Sequence, residues 1–178
     1  MDEERAKRWL TEAEGYLELG LFERALERLE AVERTAHCRA DRALLRGSLH
    51  REREEYSAAV PHFRAALELR PGDIPATVGV GWCLKRSGKL NEAAQAYQAA
   101  LQRHPQEGLL HYNLACYQCL LGRTAEALEG LQRAIQIDPE FRDLAQEEDD
   151  FALLKGHPEF LKALRVQAED RENQASDW

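Results

Sequence analysis

The sequence predicts an all-α fold: a right-handed α-α superhelix of tandem helix pairs, closed by C-terminal capping helices. Three observations predict it. Alanines recur every 34 residues at Ala25, Ala59, Ala93 and Ala127, as do prolines at Pro71, Pro105 and Pro139. Small residues keep that interval at Ala13, Gly47, Gly81 and Ala115, and large ones keep it at Leu29, Phe63, Tyr97 and Leu131. Glycines at Gly20, Gly88 and Gly122 fall between the small and the alanine tracks, where one helix must end before the next begins. These tracks divide the chain without a gap into four repeats, 6–39, 40–73, 74–107 and 108–141.

Each repeat reads as two helices and a tight turn. In the third, Asp73 is placed to cap the first helix, and Pro75 sits in its first turn, where a missing N–H costs little. Gly88 ends that helix, since glycine tolerates the left-handed conformation that closes many helices. The second helix is expected from about Leu90 to Arg103, with Ala93, Ala96, Tyr97, Ala100 and Leu101 on one face, and Pro105 stops it. Pro61 lies only a few residues past Tyr56, within the first turn of its helix, and is tolerable there. Close helix crossings need small side chains at the contact, with a large residue filling the remaining gap. Gly81 is therefore expected to let Ala93 approach, and Phe63 or Tyr97 to pack against the neighbouring repeat. One repeat cannot bury its apolar face alone, and stacking buries it.

This pattern resembles the tetratricopeptide repeat family. The resemblance rests on Trp9, Ala13, Tyr16, Gly20, Ala25 and Leu29 in the first repeat, and on Gly47, Tyr56, Ala59, Phe63, Ala66 and Pro71 in the second. Gly81, Gly88, Ala93, Tyr97, Ala100 and Pro105 carry it in the third, and Leu114, Ala115, Gly122, Ala127, Leu131, Ala134 and Pro139 in the fourth. His37 stands where a closing proline belongs and Glu54 where the turn glycine belongs, so these two boundaries are expected to be looser or reshaped. The resemblance implies a tetratricopeptide solenoid whose first helices line a concave face that takes extended or helical segments of other proteins. It specifies a fold strongly and a function weakly.

After Phe141 the period stops, yet Leu144, Phe151, Leu153, Leu154, Phe160, Leu161 and Leu164 continue an apolar pattern. Residues 142–170 are expected to form a helical cap, partly helical to Lys155, with a last helix opening at Pro158. A second reading folds part of this segment over the concave face as a lid. The stretch from Leu109 to Phe160 looks like the closing unit of many bacterial tetratricopeptide proteins. Residues 171–178 lack apolar periodicity and are expected to be a disordered tail.

Composition excludes several functions. The chain has 24 Lys and Arg against 32 Asp and Glu, a formal charge of −8, which argues against a nonspecific nucleic-acid binder. The acidity is at the ends: residues 41–139 carry +1, whereas residues 140–178 carry −6, centred on Glu147, Glu148, Asp149 and Asp150. That run reads as a solvated turn or helix start, with an acidic docking tail as the alternative. No apolar stretch is long enough to cross a bilayer and the charged start does not read as a signal peptide, so a cytoplasmic protein away from membranes is expected. Cys116 and Cys119 form a C-x-x-C in mid-helix, away from the N-terminus that would activate a redox cysteine, and zinc would need two further ligands. They are read as structural or groove-lining thiols. No phosphate loop, GxSxG or HExxH is present, and no enzyme, metal or cofactor is expected.

The candidate site is the concave lining: Glu14, Ser48, Arg51, Trp82, Lys85, Arg86, Tyr112, Asn113 and Cys116. Trp82 beside Arg51, Lys85 and Arg86 would anchor an apolar side chain with an acidic neighbour. Alternatively Trp82 packs under the C-terminal segment or against the adjoining helix. Asn113 stands where related arrays bind a ligand's main chain, although Thr11, Leu45 and Gly79 occupy the matching places elsewhere. Leu44, Ser48, Gly79, Leu109 and Asn113 supply no cation, so the carboxylate clamp that holds chaperone tails is not expected. The function expected is an interaction module or adaptor for a segment of another protein. Two alternatives are a self-associating scaffold whose groove is filled by its own C-terminal segment, and a secretion-type chaperone. The latter usually carries a dimerising N-terminal helix, for which the first repeat, beginning near Ala6, leaves no room. A homo-oligomer is compatible with the sequence.

Overall fold

The computed structural model describes residues 3–32 and 38–165. These residues form α-helices and one 3-10 helix, with no strand among them. The chain divides into two compact units, Met1–Arg103 and His104–Trp178.

Unit 1 holds three helix pairs: α1 (Glu3–Glu18) with α2 (Phe22–Ala31), α3 (Arg39–Glu52) with α4 (Tyr56–Leu69), and α5 (Ile74–Arg86) with α6 (Leu90–Leu101). The first helices adjoin in the order α1, α3, α5. Asp73 caps α5 as expected, its Oδ1 accepting the Ala76 N–H at 2.9 Å, with Pro75 in the first turn. α6 ends at Leu101, two residues before the expected Arg103, and Pro61 stands inside α4.

Aromatic rings fill the space left by the glycines. An added Cβ at Gly47 would lie 2.7 Å from the Phe63 ring, and one at Gly79 only 2.6 Å from it, so Phe63 of α4 is gripped between α3 and α5. At Gly81 the neighbour that needs the room is the Tyr97 ring of α6. Phe63 and Tyr97 are each 1% exposed, so these slots leave no gap.

The turns between paired helices share one hydrogen-bond pattern. The Leu21, Glu55, Lys89 and Arg123 N–H groups reach back to the carbonyls of Tyr16, His50, Leu84 and Gln118. Gly20, Gly88 and Gly122 take positive φ in these turns, and Glu54 takes it as well, at 60°. The boundary expected to be reshaped therefore keeps its turn, and the strain falls on one glutamate backbone. His37 lies outside the described residues. Glu54→Gly is expected to stabilise the protein by about 0.5–1 kcal/mol, the left-handed penalty being partly offset by glycine's larger unfolded-state entropy. A rise of roughly 2–4 °C in Tm checks this.

Unit 2 pairs α7 (Gly108–Leu120) with α8 (Thr124–Ile137), followed by α9 (Glu140–Glu147), the 3-10 helix (Asp149–Leu154) and α10 (Pro158–Arg165). Phe141, Ala145, Phe151, Leu154 and Phe160 join residues of α7 and α8 in one apolar core. The described residues after Phe141 thus pack on α7 and α8 of unit 2. The Glu148 carboxylate accepts the Asp150 N–H and starts the 3-10 helix, which gives one member of the acidic run a capping role. The expected tail at 171–178, and the last part of the expected cap at 166–170, lie outside the described residues.

Candidate interaction face

The expected lining residues fall into three groups: two in unit 1 and one in unit 2. On α5, Val78, Trp82, Lys85 and Arg86 recur at helical spacing on one stripe, while Val80, Cys83 and Leu84 are buried. Trp82 is 39% exposed. Its indole meets the edge of Tyr56, the first residue of α4, with centroids 5.2 Å apart and planes at 77°. The Arg86 guanidinium stands 5.7 Å from the Trp82 ring and 5.4 Å from the Tyr56 ring. Each such cation–π contact contributes about 0.5–1 kcal/mol at an exposed site, enough to hold the cluster's shape.

Arg51, in the last turn of α3, donates from Nη2 to Glu52 Oε1 at 2.8 Å. Its charge reaches across to α5, where burial pushes the Cys83 thiol up to about 11 and Arg51 pulls it slightly back. Ser48 is half-buried on α3, and Lys85 is half-buried on α5. Glu14 stands exposed on α1, the far side of α3 in the order of adjoining helices. Tyr56 belongs to this cluster, and the sequence reading used it only as a mark of the repeat. Its position at the start of a second helix is the signal that could have placed it beside the lining of the following repeat.

Unit 2 treats the equivalent positions differently. Tyr112 and Cys116 are 7% and 4% exposed. Tyr112 stacks on Phe141 at 5.0 Å and meets Phe151 edge-on at 5.6 Å. Burial raises the Cys119 thiol, with the Leu153 backbone pulling it partly back. Burial likewise raises the Tyr112 hydroxyl, with Cys116, Glu148 and Asp150 adding to it. This side of α7, expected to be open, is apolar core beneath the 3-10 helix. Asn113 is half-buried, and its Nδ2 donates to the Leu109 carbonyl of its own helix at 2.9 Å.

Cys116, Glu148 and Asp150 bring one potential ligand atom each within 4.8 Å of one another. A structural zinc takes four ligands, and Glu148 is already engaged as a cap, so the grouping is short of a metal shell. The described cysteines, Cys38, Cys83, Cys116 and Cys119, are all buried and none of them is in a disulfide. Among the described residues no helix is long and apolar enough to cross a membrane.

Two models of the tetratricopeptide repeat match this chain, one over residues 10–74 and the other over 50–111 and 84–147. The peroxisomal targeting signal receptor of Kluyveromyces lactis is 35% identical over 91 residues, 51% of this chain and 16% of the receptor. The chain spans less than a fifth of the length of the curated relatives it matches first. Among solved structures, the MamA RS-1 ArsTM double mutant is 20% identical with a TM-score of 0.72, covering 99% of each chain. YrrB, described as a TPR protein with an unusual peptide-binding site, is 24% identical with a TM-score of 0.65, covering 80% of this chain and 75% of its own. At these identities the structural likeness shows the fold alone.

Proposed function

Since the chain belongs to the tetratricopeptide repeat family, whose members mediate protein–protein interaction, we propose that it is a non-enzymatic adaptor binding a segment of another protein. The segment lies on the α3–α5 face of unit 1. The observation that carries this reading is the Trp82–Tyr56–Arg86 cluster, a partly exposed aromatic pair bridged by a guanidinium. Aromatic and arginine side chains at the centre of a patch supply most of the affinity in peptide recognition. Arg51 and Lys85 flank it and favour carboxylates in the ligand, and Ser48 offers a hydroxyl to its main chain. The α7 face takes no part, because Tyr112 and Cys116 are buried beneath the chain's own 3-10 helix. On this reading, self-filling of a groove, one of the alternatives, applies to unit 2, and the face in unit 1 is the docking surface.

The test uses random peptides displayed and selected on the full chain, then measured by fluorescence anisotropy. Trp82→Ala is expected to weaken the selected peptides about tenfold or more, and Lys85→Glu to weaken acidic ones, with helix content unchanged by circular dichroism. Peptides that bind both variants as well as the wild type would remove the α3–α5 face from the site.

A further inference from the structure

Residues 41–103 of unit 1 and the closing segment of unit 2 carry opposite charge, while unit 1 as a whole is neutral, with 17 Lys and Arg against 17 Asp and Glu. Residues 41–103 have 10 Lys and Arg against 7 Asp and Glu, whereas residues 140–165 have 4 against 7. Within the closing segment the 3-10 helix is anchored by Phe151 and Leu154, 0% and 1% exposed. Those anchors push Leu153 outward to 71% exposure, and the Asp149 side chain is fully exposed. Lys155 stands 3.8 Å from Asp149 and offsets part of its charge, while Glu147 and Glu148 keep the turn acidic. The result is a rigid acidic turn presenting one large apolar side chain. Those are the features that an indole flanked by Lys85, Arg86 and Arg51 would take.

Building on the Trp82 reading, we propose that the Trp82 face of one copy of this chain takes the Asp149–Leu153 turn of a second copy. Leu153 packs on the Trp82–Tyr56 pair, and the carboxylates of the turn face Lys85 and Arg86. Because the turn is held in place by buried side chains, little conformational entropy is lost when it docks. Each copy carries both a face and a turn, so two copies can pair reciprocally and several can join head to tail. Opposite charge makes the contact salt-sensitive.

The experiment is sedimentation velocity of the full chain from about 1 μM to about 200 μM, in about 50 mM and about 500 mM salt. The weight-average mass is expected to rise with concentration to that of a dimer or larger and to fall at the higher salt. Trp82→Ala, and separately Leu153→Ser with Asp149→Lys, are expected to weaken association about tenfold while keeping wild-type helix content. A charge exchange tests the pairing itself. Lys85→Glu with Arg86→Glu in one chain, and Glu147→Lys with Asp149→Lys in another, each give a monomer alone and associate when mixed. A monomer at every concentration overturns the proposal, as does self-association that ignores these substitutions or a mixture that fails to associate. If displayed peptides still need Trp82 while the wild type stays monomeric, the adaptor reading stands and this one falls. If Trp82→Ala changes neither measurement, both fall.

Discussion

Phe151→Ala is expected to destabilise unit 2 by about 3–5 kcal/mol, the range for deleting a fully buried aromatic side chain. Phe151 is 0% exposed and touches Tyr112 and Phe160 at ring-centroid distances of 5.6 and 5.8 Å. It joins the 3-10 helix to both α7 and α10, so its loss removes more than one ring's contacts. In a chain of this length the Tm should fall on the order of 10 °C. Hydrogen exchange should show the loss in α7 and the closing segment first, because their shared core is broken while the Phe63 and Tyr97 slots of unit 1 are intact. Wild-type stability would mean that the closing segment is dispensable to unit 2.

Gly81→Ala is expected to cost about 1–2 kcal/mol, although alanine is the better helix former by about 1 kcal/mol. The sign is decided by space. An added Cβ at Gly81 would fall on the Tyr97 ring, which is 1% exposed and has nowhere to move. Gly15 in α1 is the control. A Cβ there meets nothing within 4 Å, so Gly15→Ala is expected to stabilise by up to about 1 kcal/mol. Urea denaturation of the two variants should shift the midpoints in opposite directions. Parallel shifts would show that helix propensity, and not the Tyr97 contact, governs these positions.

The helix pairs were legible because their signals are local. Asp73, Pro75 and Gly88 act within one turn of their own backbone, and each sits in the structure where its chemistry places it. Glu54 shows the limit of reading residue types at a turn. The His50–Glu55 hydrogen bond pattern matches that of the glycine turns, and the cooperative closure of α3 onto α4 holds a non-glycine residue in the left-handed region. The 34-residue period likewise marked Gly81 as a close contact, but not which neighbour needed the room. Tyr97 takes it, and that depends on ring placement that spacing does not encode.

The interaction face was only partly legible. Helical periodicity put Trp82, Lys85 and Arg86 on one stripe of α5, and they share that stripe in the structure. The same periodicity put Tyr112 and Cys116 on the matching stripe of α7, where they are buried. A helix's own period says which side chains share a face, but not what covers it.

By itself the sequence determined the all-α architecture, the helix pairing and the uneven charge, because periodicity, capping chemistry and composition are properties of the chain alone. Tertiary structure decided which stripe remains available: Phe151 and Leu154 close over α7, while Tyr56 and Arg86 brace an indole that stays partly in solvent on α5. The physical reason is that burial depends on partners distant in sequence, and apolar area is removed from water only where two such surfaces meet.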